Sequence, residues 1–351
     1  MTYPPLVVDL YSDTKTRPSP AMRRAMAEAE VGDEQAFEDP TVTRLCAAVA
    51  ELLGKEDAVF LPSGTMANQI AYRLHCRPGE EIILDRTGHA IDAEAGGAAA
   101  LAGAMLRPLD GPRGIFTAEQ VRAAIRPDLR HCPRSRLVSI ENTSNFGGGS
   151  VWPLATIEAI DGVAKGHGLA MHLDGARLMN AVVASGTSAR DYCASVDSCW
   201  IDFSKGLGAP VGAALAGSTE FVHEAWRLKQ QMGGAMRQAG IIAAGALYAL
   251  EHNVERLAED HANARFLAEG LARIPGVKLV YDTIPTNILF FDVSGTGMTP
   301  QEVEHGINTL GVRMGGGYDG AKVIRAVTHL DVTRDDCAVA IDAVRQVCAG
   351  R

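Results

Sequence analysis

No C-x-x-C pair occurs among the seven cysteines of this 351-residue chain; Cys46, Cys76, Cys132, Cys193, Cys199, Cys337 and Cys348 are odd in number and scattered. That argues against a disulfide framework or a zinc site and fits a reducing compartment. No apolar run approaches the roughly 18 residues of a membrane-spanning helix. The opening residues Met1-Thr2-Tyr3-Pro4-Pro5 lack the basic stretch and apolar stretch of a secretion signal. The expectation is a cytoplasmic protein with no membrane partner. A long basic run is also missing and the formal net charge is −9, so nucleic acid is not an expected partner. Repeats and low-complexity segments are absent.

What is present is the composition of a globular protein, 47% hydrophobic and 21% charged, with 37 glycines suited to close helix–strand packing. The length allows a large domain and a smaller one. After an extended piece at 7–13, a helix is expected from Pro20 to Gly32, an acidic loop over 33–40, and a helix over 41–53 with Leu45, Val49 and Leu52 at helical spacing. Short apolar runs at 58–61, 81–84, 136–140, 169–173 and 198–203 then alternate with helical patterns, among them 92–102, 117–125, 154–166 and 177–184; 213–216 adds a further strand, read as antiparallel. This alternation predicts an α/β fold with a mostly parallel sheet covered by helices on both faces. A helical stretch over 219–274, broken near Gly233-Gly234, leads into strands at 278–281, 287–291, 313 onward and 323–327 with helices at 299–309 and 333–349. The expected division is residues 1–255 as the large domain, N-terminal segment included, and 256–351 as a small α+β domain.

Chemistry-bearing residues sit where strands end. Pro62-Ser63-Gly64-Thr65 turns a strand into a helix, offering backbone N–H groups and hydroxyls to a phosphate; the same residues also make an ordinary helix cap, and they form neither of the glycine-rich nucleotide loops. His89 follows another strand, as a ring that could stack on a planar cofactor or as a plain loop histidine. Asp174, in Asp174-Gly175-Ala176-Arg177, ends a third. Lys205 follows a fourth, in Phe203-Ser204-Lys205-Gly206. An acid and an amine at neighbouring strand ends are what pyridoxal 5′-phosphate (PLP) needs: the carboxylate keeps the pyridine nitrogen protonated and the lysine holds the aldehyde as a Schiff base.

Through these residues and the motifs around them, the chain resembles the L-threonine aldolase family, of low-specificity type, in the β-eliminating lyase group of fold-type-I PLP enzymes. The likeness runs almost end to end through Asp9-Leu10-Tyr11-Ser12-Asp13-Thr14, Glu38-Asp39-Pro40-Thr41, Pro62-Ser63-Gly64-Thr65-Met66, His172-Leu173-Asp174-Gly175-Ala176-Arg177, Ser204-Lys205-Gly206-Leu207, Met236-Arg237-Gln238-Ala239-Gly240 and Arg325-Ala326-Val327-Thr328-His329. The resemblance implies an aspartate-aminotransferase-like large domain, PLP as cofactor, no metal, and cleavage of a β-hydroxy-α-amino acid to glycine and an aldehyde; a β-eliminating or dehydrating lyase is the alternative. It implies roles for Lys205 as the Schiff-base lysine, Asp174 at the pyridine nitrogen, His89 stacked on the ring, and Ser63, Gly64 and Thr65 at the phosphate. Arg237 would reach the phosphate of a neighbouring subunit in a homodimer or homotetramer with shared sites. Arg177 would hold the cofactor's phenolic oxygen or the substrate carboxylate, and Ser12 and Arg325 would clamp that carboxylate.

Three departures concern the substrate's side chain. The family reads Glu-Asn-Thr-His-Asn where this chain has Glu141-Asn142-Thr143-Ser144-Asn145, so Ser144 replaces an imidazole at the β-hydroxyl. Ala36 and Phe37 stand where a tyrosine and a glycine are usual, and Ala90, Ile91 and Asp92 follow His89 in place of aromatic residues. The expectation is a wider pocket with Asp92 as an added acid, against the plainer reading of Asp92 as a solvated helix residue.

Overall fold

The computed structural model describes residues 4–317 and 322–349. Its strands are β1 (Val8–Leu10), β2 (Asp57–Leu61), β3 (Glu81–Asp85), β4 (Met105–Leu109), β5 (Ser135–Glu141), β6 (Ala170–Gly175), β7 (Ser198–Asp202), β8 (Ala213–Gly217), β9 (Lys278–Leu279), β10 (Ile288–Asp292), β11 (Val312–Gly317) and β12 (Val323–Val327). Seven form one sheet in the order β2-β8-β7-β6-β5-β3-β4, and five form a second in the order β1-β11-β12-β10-β9. In the large sheet β8 alone is antiparallel to its neighbours β2 and β7; the pairs β3·β4, β3·β5, β5·β6 and β6·β7 are parallel. The C-terminal ends of β2, β3, β5, β6 and β7 therefore share one edge, which is where open α/β sheets place their ligands.

The helices form where caps and apolar stripes coincide. The one over Pro40–Leu53 starts at Asp39, whose carboxylate accepts the N–H groups of Thr41 and Val42 at 3.1 and 3.0 Å. It buries Leu45, Val49 and Leu53 against the large sheet's core, each contributing about 1.5–3 kcal/mol. The long helical stretch in the tail is three helices, Thr219–Gln231, Gly240–His252 and Leu257–Ala272. In place of a continuous helix over 92–102 there are a short helix His89–Asp92 and a wide turn Ala98–Ala102. None of the helices among the described residues is long and apolar enough to cross a membrane.

β1 pairs outside the large sheet: Val8, Asp9 and Leu10 run parallel to Val312, Arg313 and Met314 of β11, and Val8 and Leu10 are buried in the second sheet's apolar cluster. The N-terminal segment thus leaves the small sheet and enters the site directly, through Tyr11, Ser12 and Asp13.

Candidate active site

Asp174, near the end of β6, lies in register with Glu141 on β5 and Trp200 on β7. Its carboxylate is buried and accepts two N–H groups, from Asn68 Nδ2 at 2.8 Å and from the backbone of Ala176 at 3.0 Å. Burial, then the charge of Glu141, push its pKa up to about 7. Among the described residues no cation hydrogen-bonds to it, so this is a carboxylate that gains from a positively charged N–H.

Asn68 stands one turn into the helix Gly64–His75. Its Nδ2 also donates to Glu94 Oε1 at 2.7 Å, and its Oδ1 accepts Trp200 Nε1 at 2.8 Å. Glu94 is buried; it takes Gln69 Nε2 at 2.5 Å and lies 3.0 Å from His89 Nδ1. That hydrogen bond is the main cause of a raised His89 pKa, with burial opposing it. The backbone N–H of His89 donates to Glu141 Oε2 at 2.9 Å, while Glu141 Oε1 accepts the N–H of Asn145 at 2.8 Å. His89 and Asp174 are therefore joined through Glu94 and Asn68, with Glu141 holding the His89 backbone beside them; none of the three stood out in the sequence.

Lys205 follows β7 and is mostly buried; its Nζ pairs with Asp202 and lies 5.7 Å from the Trp200 ring centre. The outer edge of that indole meets Gly64, where a Cβ would fall 2.1 Å from Trp200 Cη2. Only glycine lets the helix start approach so closely. Ser63 caps this helix, its Oγ accepting the N–H of Met66 at 3.2 Å, and Ser63 and Thr65 are exposed at the open end. A phosphate has donors and access there.

A second group draws on the N-terminal segment and the second sheet. Arg177 is buried in a two-pronged pair with Asp13, Nε to Oδ2 and Nη2 to Oδ1, both 2.7 Å. Burial would raise the pKa of Asp13, but Arg177 outweighs it and holds the carboxyl below the usual range. Asn287 Nδ2 donates to the same carboxylate at 3.1 Å. Arg325, buried on β12, donates to Asn145 Oδ1 at 2.8 Å and to the carbonyl of Tyr11 at 3.1 Å. Ser12, also buried, accepts the Thr14 N–H at 3.2 Å and its hydroxyl at 2.9 Å.

The remaining expected residues lie differently. Ser144 is buried, its Oγ accepting the N–H of Gly147 at 3.3 Å. The wider pocket expected here is partly filled: Gly114, with φ +77°, packs against Ser144 so closely that a Cβ would fall 2.1 Å from its Oγ. Asp92 is exposed, and among the described residues no hydrogen bond or ion pair joins it to the network. Arg237 is exposed and bonds Asp33 Oδ2 at 2.7 Å. Its carbonyl accepts the N–H of Glu34 at 3.0 Å, and Glu34 is fully buried against Lys229, an ion pair that fastens the acidic loop to the helix Thr219–Gln231. Phe37, in the place of the usual glycine, has φ +59° and packs edge-on against Trp226 at 5.3 Å.

The Beta-eliminating lyase family model matches residues 9–294. A low-specificity L-threonine aldolase of Escherichia coli (strain K12) is 42% identical over 334 residues, covering 95% of this chain and 96% of the relative. The chain belongs to the L-threonine aldolase family. A probable low-specificity L-threonine aldolase 2 of Arabidopsis thaliana is 43% identical over 82% of each chain. The solved Leishmania major threonine aldolase superposes with a TM-score of 0.83 at 23% identity, covering 97% of this chain and all of that one, a likeness of fold. Family membership fits the site: a buried acid lacking a cation, an amine beside it and a helix start open to phosphate accommodate PLP.

Proposed function

We propose that this chain cleaves β-hydroxy-α-amino acids of the threonine type between Cα and Cβ, giving glycine and an aldehyde, with PLP as cofactor. The observation that carries the reading is Asp174, a buried carboxylate hydrogen-bonded by neutral donors and backed by Glu141, one strand away from the Lys205 amine. Bound PLP supplies the electron sink for the bond-breaking step.

The chain's own residues bind and orient. Lys205 would supply the amine that holds the cofactor's aldehyde. Asp174 keeps a proton at the pyridine nitrogen, and His89, tethered by Glu94, covers the ring face. Ser63, Gly64 and Thr65 receive the phosphate. Arg325 and Ser12 hold the substrate carboxylate, while Asp13 presents Arg177 toward the cofactor's phenolic oxygen or that same carboxylate. Arg237 extends to the phosphate of a neighbouring subunit in a homodimer or homotetramer, and the protein acts in the cytoplasm. Ser144 has no basic nitrogen and its Oγ is engaged by Gly147, so the β-hydroxyl proton passes to a water and not to this side chain.

The test is product analysis of the PLP-loaded protein with L-threonine, L-allo-threonine and phenylserine. Glycine plus the matching aldehyde supports the proposal, together with loss of the visible cofactor band in Lys205→Ala. A keto acid plus ammonia would assign the β-eliminating reaction instead.

A further inference from the structure

The hydrogen bonds behind Asp174 have a direction, and it is fixed from one end. Trp200 Nε1 can only donate, so its 2.8 Å contact identifies the facing atom of Asn68 as Oδ1 and places Nδ2 toward Asp174 and Glu94. His172 Nε2 lies 3.2 Å from that same Oδ1 and must carry its hydrogen. His172 is fully buried, and burial lowers its pKa to about 3, so the ring is neutral and Nδ1 is an acceptor. The Ser198 hydroxyl, 2.8 Å from Nδ1, donates to it. Ser198 Oγ in turn lies 2.8 Å from Nε2 of His75, which donates; burial lowers the pKa of this ring as well, to about 4. The result is a chain of aligned donors running His75, Ser198, His172, Asn68 and ending on Asp174 Oδ2.

We propose that His172 and Ser198 are positioning residues for the cofactor: through Asn68 they deliver a polarised N–H to Asp174 and so keep the ring-nitrogen acid ionised. This rests on the PLP reading above. Successive aligned hydrogen bonds polarise one another in a low-dielectric interior, and a donor to a carboxylate favours its charged form. The chain therefore counters the two carboxylates that disfavour the charge of Asp174, Glu141 on β5 and Glu94 after the short helix; Tyr72, on the same helix as Asn68, stays a neutral phenol because burial raises its pKa. The charge of His89 and the N–H of Ala176 act with the chain.

The test uses the full-length holoenzyme loaded with PLP labelled with ¹⁵N in the ring, followed by the nitrogen's chemical shift from pH 6 to 10. In His172→Phe the ring nitrogen should lose its proton about one pH unit earlier than in the parent, with PLP held about tenfold more weakly at pH 9. Ser198→Ala, one bond farther away, should move the midpoint the same way by about half as much, and Ser198→Thr should restore it. A merely structural role for these residues would lower the thermal midpoint without moving the nitrogen titration. If Ser198→Ala folds and its titration matches the parent, the proposal is wrong, whether or not His172→Phe folds. A parent protein that binds no PLP at all would overturn the cofactor reading as well; unaltered titration in a PLP-loaded variant would overturn only this one.

Discussion

Removing the carboxylate of Asp174 should make the cofactor-free protein more stable at alkaline pH and less able to bind PLP. The buried carboxyl has a pKa near 7 in the fold against 3.8 as an ordinary side chain. Between those values the folded protein binds a proton that the unfolded chain does not, so folding stability is greatest below the lower value and falls as pH rises through the upper one. Three pH units at about 1.4 kcal/mol each give a penalty of roughly 4 kcal/mol once Asp174 is ionised without a cationic partner. Asp174→Asn removes that penalty. It also turns one of two acceptors into a donor facing Asn68 Nδ2 or the Ala176 N–H, at a pH-independent cost of about 1–3 kcal/mol. The informative quantity is the slope and not the offset. Urea unfolding of PLP-free parent and variant from pH 5 to 9 should show the parent losing stability relative to Asp174→Asn by about 2–3 kcal/mol across that range. Saturating PLP should flatten the parent's curve, because the pyridinium supplies the missing charge. Parallel curves for the two PLP-free proteins would refute the reasoning.

Ser144→His, which restores the family's imidazole, should lower the melting temperature instead of raising turnover, because Gly114 packs directly on Ser144; overpacking of this kind costs about 1–3 kcal/mol, and calorimetry with aldehyde-release assays on the same sample reads both. Lys229→Ala should destabilise by about 3–5 kcal/mol, since it leaves Glu34 as an uncompensated buried charge. The double variant Lys229→Ala with Glu34→Gln should recover part of that loss, measured by urea unfolding.

The strand-end residues were legible because each follows a short apolar run, and a parallel sheet brings all such ends to one edge. Lys205 and Asp174 needed no more than that. β4 was not legible: Met105-Leu-Arg-Pro-Leu109 is a half-exposed edge strand containing a proline, with none of the continuous apolar character of its neighbours. β1 was seen as extended, but its partner lies at the far end of the chain and no local pattern names it. Asn68 and Glu94 escaped notice for a different reason. A polar residue within a helix or loop reads as solvated, and only burial on all sides shows that it must be satisfied by a neighbour. The loop over 33–40 looked too acidic for the interior; Lys229, 195 positions later, makes the burial of Glu34 tolerable. The crowding at Ser144 has the same origin, because the glycine that packs on it, Gly114, lies in a separate loop.

The placement of β1 also bears on how the protein is made. Asp9 and its partner Arg313 are 304 positions apart, and the residues that follow β1, Ser12 and Asp13, furnish part of the site. A ribosome adding roughly 5–20 residues per second needs about 15–60 seconds to reach β11 after β1 has emerged. In the last part of that interval, once β8 has emerged, the large sheet can assemble around Asp174 and Lys205, while β1 still lacks its partner β11 and Arg325 has not been synthesised. Capacity to hold the cofactor's ring thus arises before capacity to hold the substrate's carboxylate, and a nascent chain stalled before residue 312 should colour with PLP yet turn nothing over.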